Sequence, residues 1–254
     1  MNEPQLVAAL RAAGCVFAEE EARLLIDEAS SPGELMAWAA RRMGGEPLEQ
    51  IVGWAAFAGQ RIAVAPGVFV PRRRSELLVD VAGRAPARVV VDLCCGTGAL
   101  GAALAAVWPE AEVYAADTDP AAVACARRNL PPEGVLAGDL YDALPDDLRR
   151  RVDLLVVNAP YVPTDAIATM PPEARDHEHR VALDGGADGL EVQRRVVAEA
   201  PAWLAPGGRL LVETSRGQAD RTAALFVMAG FVAVVETDDD LAGTVVVGTR
   251  PGGG

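Results

Sequence analysis

The chain has 254 residues, 51% of them hydrophobic, which is ample for a sizeable core in one large domain or in a domain with a small appendage. Its formal charge of −13 argues against holding nucleic acid through phosphate neutralisation over a broad basic face, so no direct DNA binding is expected. No apolar run approaches the roughly 20 residues of a membrane span, and MNEPQLVAALRAAG lacks the basic start and apolar core of a signal peptide, so a cytoplasmic protein with no membrane partner is expected.

Three segments near the start, VAALRAAG, EEEARLLIDEA and SPGELMAWAARRM, carry helical periodicity, and Ser31-Pro32 supplies a start signal for the third. They predict a small helical domain over 1–45. After the Gly44-Gly45 break, IVGWAAF and QRIAVAPGVFV read as two strands turned at Ala58-Gly59, a β-hairpin connector over 46–71 that ends at Pro71.

The rest, 72–250, alternates short β-branched runs with helical patterns: RVVVDL, GALGAALAAVW, EVYAAD, PAAVACARRNL, GVLAGD and VDLLVVN. Such alternation predicts βαβ units in an α/β, doubly wound, mostly parallel sheet. A helix over 188–204, strand GRLLVE and a helix over 217–229 follow. FVAVVET and GTVVVGT, joined by DDDLA, then close the chain as an antiparallel pair. The four cysteines, Cys15, Cys94, Cys95 and Cys125, form no disulfide framework in a chain this long. With no CxxC pair to suggest zinc, all are read as reduced and no metal is expected.

In VVVDLCCGTGALG a strand enters a glycine turn and leaves into a helix, so backbone can approach a ligand and helix N–H groups can point at it. Gly96, Gly98 and Gly101 satisfy GxGxxG, a pattern shared with dinucleotide-binding folds. Asp117 closes the second strand, where a carboxylate can accept from two ribose hydroxyls. Both NAD and S-adenosylmethionine need that. Asp139, after the third strand, and Asn158, after the fourth, gather polar side chains outside the carboxyl ends of neighbouring strands. A dehydrogenase has no need of Asn158-Ala159-Pro160-Tyr161 there, whereas methylation of a planar nitrogen does.

On these blocks, together with RRMGGEPLEQIVGWAAF, VFVPRRRSELLVD, HEHRVALDGGADGLEV and LLVETS, the chain from about Arg41 onward resembles the release-factor glutamine methyltransferase (PrmC/HemK) family. The resemblance implies a helical N-terminal domain, a β-hairpin and a seven-stranded class I, Rossmann-like methyltransferase sheet. It implies S-adenosylmethionine as methyl donor and a protein glutamine as acceptor, usually in the Gly-Gly-Gln segment of a peptide release factor. Carried onto this sequence, Asp92, Cys94, Gly96, Gly98, Asp117, Asp139, Leu140 and Asn158 border the cofactor. Pro71, Arg72, Glu76, Asn158 and Tyr161 border the acceptor. The sequence departs from the family in NAPY for NPPY, PRRRSE for PRPxTE, Cys94 for the first glycine of the turn, and a short helical segment.

A glutamine amide is a poor nucleophile because its lone pair is delocalised, so positioning must do most of the work. If Asn158 Oδ1 and the Ala159 carbonyl each accept one amide N–H, the nitrogen is aimed at the methyl group, and charge developing on it meets two acceptor dipoles. Pro160 biases Ala159 to an extended conformation, and Tyr161 forms an aromatic wall. Asp92 is read either as an indirect ligand of the donor's amino group or as the residue that orders the glycine loop. His177 and His179 are read as exposed loop side chains, and no general base is required. Arg72, Arg73 and Arg74 stand at a helix start, where the macrodipole disfavours cations; they are read either as a solvated run or as contacts to an anionic group of the partner. Two other classes of function fit the departures: a small-molecule N-methyltransferase of specialised metabolism, and a catalytically silent S-adenosylmethionine-binding partner protein.

Overall fold

The structure is a computed structural model and describes residues 2–252. The chain opens with helices α1 (Glu3–Ala12), α2 (Ala18–Glu28) and α3 (Pro32–Met43). Asn2 and Gln5 form a reciprocal capping box on α1, and Ser31 accepts from the Glu34 N–H at 3.2 Å to start α3, with Pro32 behind it. Leu6, Leu10, Ala22, Leu25, Ala39 and Ile51 make a separate small core. Inside it Arg42 holds Glu21 through two hydrogen bonds of 2.6 and 3.1 Å, a paired geometry that lets both charges be buried.

The hairpin is shorter than the sequence pattern suggests. Ile51 and Val52 close a helix, α4 (Leu48–Val52), which Gly53 terminates at φ 81°, so the first strand begins only at Trp54. β1 (Trp54–Phe57) pairs antiparallel with β2 (Gln60–Ala63), turning at Ala58 and Gly59, both at positive φ as a two-residue hairpin of this twist requires. The second strand stops at Ala63 rather than running on, because Pro66 has no N–H to donate and Gly67 turns the chain at φ 81°. Phe57 and Ile62 pack into the core of the large sheet.

A short 3₁₀ turn, Arg73–Ser75, leads into α5 (Glu76–Ala82). Then follow β3 (Val89–Leu93), α6 (Ala99–Val107), β4 (Glu112–Asp117), α7 (Pro120–Ala126), β5 (Val135–Ala137) and β6 (Val152–Val157). After a loop that includes α8 (Pro172–His177), the chain ends with α9 (Glu191–Trp203), β7 (Leu204–Glu213), α10 (Ala219–Met228), β8 (Val232–Asp238) and β9 (Gly243–Thr249). The seven strands lie in the order β5-β4-β3-β6-β7-β9-β8. β5 through β7 are parallel, and β9 runs antiparallel between β7 and β8.

Both faces of the sheet are covered, so β3 reads as the unbroken apolar run VVVDL apart from Asp92. α5, α6 and the hairpin cover one face, and α9, α10, Tyr141 and Trp203 the other. Because the strand order reverses between β3 and β6, their carboxyl ends diverge and leave a crevice there. Asp92 sits under that crevice with no exposed surface. Its Oδ2 accepts from the Gly101 N–H at 2.9 Å, fixing the first turn of α6, while Oδ1 has no partner. A Cβ on Gly101 would lie 3.3 Å from that carboxylate, so the bond requires glycine or an adjustment around it.

Burial pushes the Asp92 carboxyl up to about 7. Its pKa in the folded chain therefore lies above that of the unfolded chain, and the unfolded state sheds the proton first as pH rises. The stability it contributes is full below about pH 4 and is lost as pH rises through about 7. Asp92→Asn keeps an acceptor for Gly101 without the charge. Denaturant titrations should show the parent losing stability relative to this variant by up to about 1.4 kcal/mol per pH unit across that window. Parallel pH profiles for the two proteins would contradict the assignment.

Candidate active site

A cleft of about 340 Å³ opens at the carboxyl ends of β3, β4 and β6, a size ordinary for a small-molecule site. At one end stands the glycine turn. Cys94, Gly96 and Gly98 take φ of 57°, 55° and 75°, a left-handed path along the cleft wall before α6 begins. Cys94 holds the conformation that favours glycine, and a non-glycine residue there costs on the order of 1 kcal/mol or more. At Gly98 an added Cβ would meet Ala126 and Leu130 at 3.1 Å.

Asp117 faces this turn from the end of β4. Its Oδ2 accepts from the Gly96 N–H and its Oδ1 from the Asp119 N–H, each at 2.9 Å. A carboxylate has about four acceptor positions, so both oxygens can still each take a hydroxyl. Burial raises the Asp117 pKa, and the two backbone donors oppose that rise. Asp139 and Leu140 line the cleft beyond it. Asp139 is half-exposed and paired with Arg195 at 2.7 Å, while Leu140 is buried and takes φ 51° to press against the slot.

S-adenosylmethionine fits this end. Asp117 and Asp119, with Asp139 beyond them beside Arg195, give this end an acidic lining, which suits a cationic sulfonium better than the pyrophosphate of a dinucleotide. Asp117 keeps acceptor positions that can take the diol of a ribose, and the apolar slot beside Leu140 can take a flat base.

The other end is built by Asn158, Ala159, Pro160 and Tyr161, which leave β6 and run along the cleft. Asn158 Nδ2 donates to Ser75 Oγ at 3.2 Å, and Ser75 is buried at the entrance to α5. The amide is thereby held with Oδ1 free. Among the described residues no donor reaches the Ala159 carbonyl either. Two unpaired acceptors therefore stand side by side at the point where β6 ends. Tyr161 OH donates to Glu213 Oε1 at 3.2 Å, and Arg74 Nε donates to the same oxygen at 3.2 Å. Glu213 closes β7, is 1% exposed, and has no partner for Oε2. Burial and Glu213 push the Tyr161 hydroxyl up to about 12, so it remains a donor.

The segment expected to touch the acceptor is arranged differently from its motif. Pro71 lines the cleft, but Arg72 and Glu76 do not. Arg72 turns onto the buried Glu178, which also accepts from the Val70 N–H at 3.1 Å, and its guanidinium lies 5.0 Å from the Phe69 ring. Glu76 accepts from the Ala58 N–H at 3.0 Å and so fastens the hairpin turn. Arg73 is exposed and makes no ion pair among the described residues. Arg74, by contrast, enters the cleft. His179 is exposed as expected, yet its Nδ1 lies 2.5 Å from Asp119 Oδ2, and its ring sits over Gly67 where a Cβ could not fit.

Nothing in the sequence by itself singles out Ser75 or Glu213. Each is a single polar residue at an element's end, and only its contact with Asn158 or Tyr161 gives it a role. PRRRSE and LLVETS were the only signals pointing to them.

The family model of the methyltransferase small domain matches residues 60–172. A release factor glutamine methyltransferase of Geobacter sulfurreducens is 40% identical over 89% of this chain and 82% of its own. A 4-amino-L-phenylalanine/4-methylamino-L-phenylalanine methyltransferase of Streptomyces pristinaespiralis is 39% identical over 78% of this chain and 71% of its own. Among solved structures, a methyltransferase from Pyrococcus furiosus superposes with a TM-score of 0.57 at 16% identity, covering 77% of this chain and 91% of that one, which shows a shared fold. With that fold, and with identity of this order across most of both sequences, the chain belongs to the release factor glutamine methyltransferase family.

Proposed function

We propose that this protein methylates the side-chain amide nitrogen of a glutamine in a peptide chain release factor, with S-adenosylmethionine as donor. The observation that carries the reading is the pair of free acceptors, Asn158 Oδ1 and the Ala159 carbonyl, at the end of β6 opposite the acidic cofactor end. An amide NH₂ has two N–H groups to give, and this pair accepts both.

When bound, S-adenosylmethionine would supply an electrophilic methyl on a positively charged sulfur, which would keep the electrons of the C–S bond as the methyl passes to nitrogen. Gly96, Asp117, Asp139 and Leu140 would hold the nucleoside, with Asp117 the acceptor for its ribose diol, and Asp92 orders the turn beneath them. Ser75 holds the Asn158 amide, and Asn158 and Ala159 turn the glutamine nitrogen so that its lone pair, rather than a hydrogen, faces the methyl. As the lone pair is drawn out of conjugation, positive charge grows on nitrogen. The two carbonyl dipoles are already aimed at it, so no reorganisation is needed. The alkylated nitrogen then loses its proton to water. Tyr161, fixed by Glu213, forms the wall against the flat amide.

A release-factor substrate supports a cytoplasmic location for the protein. A second reading, methylation of an aromatic amine, has the Streptomyces relative in its favour, because an arylamine is also a flat nitrogen with two N–H groups.

The two are separated by incubation with labelled donor and a release-factor fragment carrying Gly-Gly-Gln, then mapping the product by mass spectrometry. Label on glutamine is expected; label only on an arylamine, or none at all, would overturn the assignment. On the true acceptor, Asn158→Ala should lower turnover by about 10² to 10³ while donor binding persists. Ser75→Ala should lower turnover by about tenfold, and Ser75→Thr should restore it, because a hydroxyl is all the contact requires. Near-normal turnover in Asn158→Ala would reduce that residue to a loop cap.

Asp117→Ala removes the charged acceptor for the ribose hydroxyls. Calorimetry should show donor affinity falling roughly ten- to a hundredfold. Unchanged affinity would mean that Asp117 serves only to tie Gly96 and Asp119 together.

A further inference from the structure

Arg74 is the cation that enters the acceptor end of the cleft, and its charge is already matched. Its Nε donates to Glu213 Oε1 at 3.2 Å, and Tyr161 OH donates to the same oxygen. Glu213 is 1% exposed, so that pairing is shielded from solvent, whereas the Arg74 side chain is 42% exposed on the cleft side. A guanidinium has five N–H donors, and Nε accounts for one. Among the described residues no Nη hydrogen bond is formed, which leaves a fork of donors free beside Tyr161, whose ring centroid lies 5.9 Å from the guanidinium carbon. The adjacent residue, Ser75, holds Asn158, so this fork is next to the amide pocket.

We infer that Arg74 hydrogen-bonds an uncharged backbone carbonyl of the acceptor polypeptide next to the methylated glutamine, and that Glu213 sets this preference by cancelling the arginine's charge. The inference deepens the function proposed above and rests on it. An unpaired arginine at this place would attract a free carboxylate strongly. Here an arriving carboxylate meets Glu213 immediately behind the guanidinium, and Asp117 stands across the cleft, so Coulomb attraction is nearly balanced out. A neutral carbonyl needs only donors, and the Nη groups of Arg74 supply them. The arrangement favours a glutamine inside a chain over an amino acid carrying its own carboxylate, unlike the substrate named for the Streptomyces relative.

The test uses the whole protein and two peptides: a Gly-Gly-Gln peptide with both ends blocked and flanking residues on each side, and one that ends at the glutamine with a free carboxylate. The parent should prefer the blocked peptide. Arg74→Leu should raise KM for it by about tenfold, with a smaller effect on kcat and none on donor affinity. Glu213→Gln leaves Arg74 unmatched and should shift preference towards the carboxylate peptide, and that gain should weaken with added salt.

Should Glu213→Gln fold poorly, as loss of donor binding would reveal, the double variant Arg74→Gln/Glu213→Gln keeps the site neutral. It should retain the parent's preference with a raised KM. An unchanged KM in Arg74→Leu, or a parent that prefers the carboxylate peptide, overturns the inference. Failure of every peptide glutamine to accept methyl would instead overturn the proposed function, so the two failures are distinguishable.

Discussion

The hydrogen bond from Asn158 Nδ2 to Ser75 Oγ decides what the end of β6 offers to a ligand. A primary amide has a donor end and an acceptor end of nearly the same shape, and a flipped Asn158 would present N–H groups to another N–H group. Ser75 is buried where the 3₁₀ turn enters α5, and α5 is packed by Leu77, Leu78 and Val81 into the core beneath the sheet. The orientation of one amide is therefore tied to the packing of a helix distant in sequence. Everything proposed for the acceptor depends on that orientation, including the value of the neighbouring Ala159 carbonyl. A carboxylate at position 158 would accept as well, but it would bring a charge that needs neutralising.

The cofactor end is governed by charge. Burial, followed by Asp117, Asp92 and Asp139, raises the Cys94 pKa, so the thiol stays neutral despite lining the cleft. This is consistent with reading the cysteines as reduced and inert. The same crowd of carboxylates would repel a polyanionic cofactor, and it selects between two ligands that share the glycine turn and the ribose-binding acid. At the acceptor end the one arginine of the lining, Arg74, is matched by Glu213. A cation-loving site thus lies beside a neutral one.

The loop between β6 and α9 is fastened beside the cleft by contacts that reach into four other parts of the chain. Arg42 of α3 pairs with Glu173 at 2.6 Å, and Gln50 of α4 donates to the His177 carbonyl at 3.2 Å. Arg72 holds Glu178, and His179 meets Asp119 at the start of α7. The N-terminal helices are thereby mechanically joined to this loop. Burial opposes the charge on Arg42, but Glu21 and Glu173 outweigh it and hold its pKa above the ordinary value.

By itself the sequence determined the local and periodic features. The alternation of β-branched runs and helical patterns yields the doubly wound sheet, because strands buried on both faces must be apolar throughout. The glycine turn and the acid closing β4 lie within one βαβ unit, so short-range spacing places them correctly. The hairpin was legible only in part: periodicity cannot tell a short apolar helix from a strand, and Ile51 and Val52 fell on the wrong side. Tertiary structure alone decided which polar residues meet across long separations. Ser75 and Asn158 are far apart in the chain, as are Arg74 and Glu213, and no pattern within either segment encodes their contact. The three consecutive arginines look alike in sequence. Their separate fates follow from the 3₁₀ turn, which sends Arg72 to Glu178, Arg73 to solvent and Arg74 into the cleft.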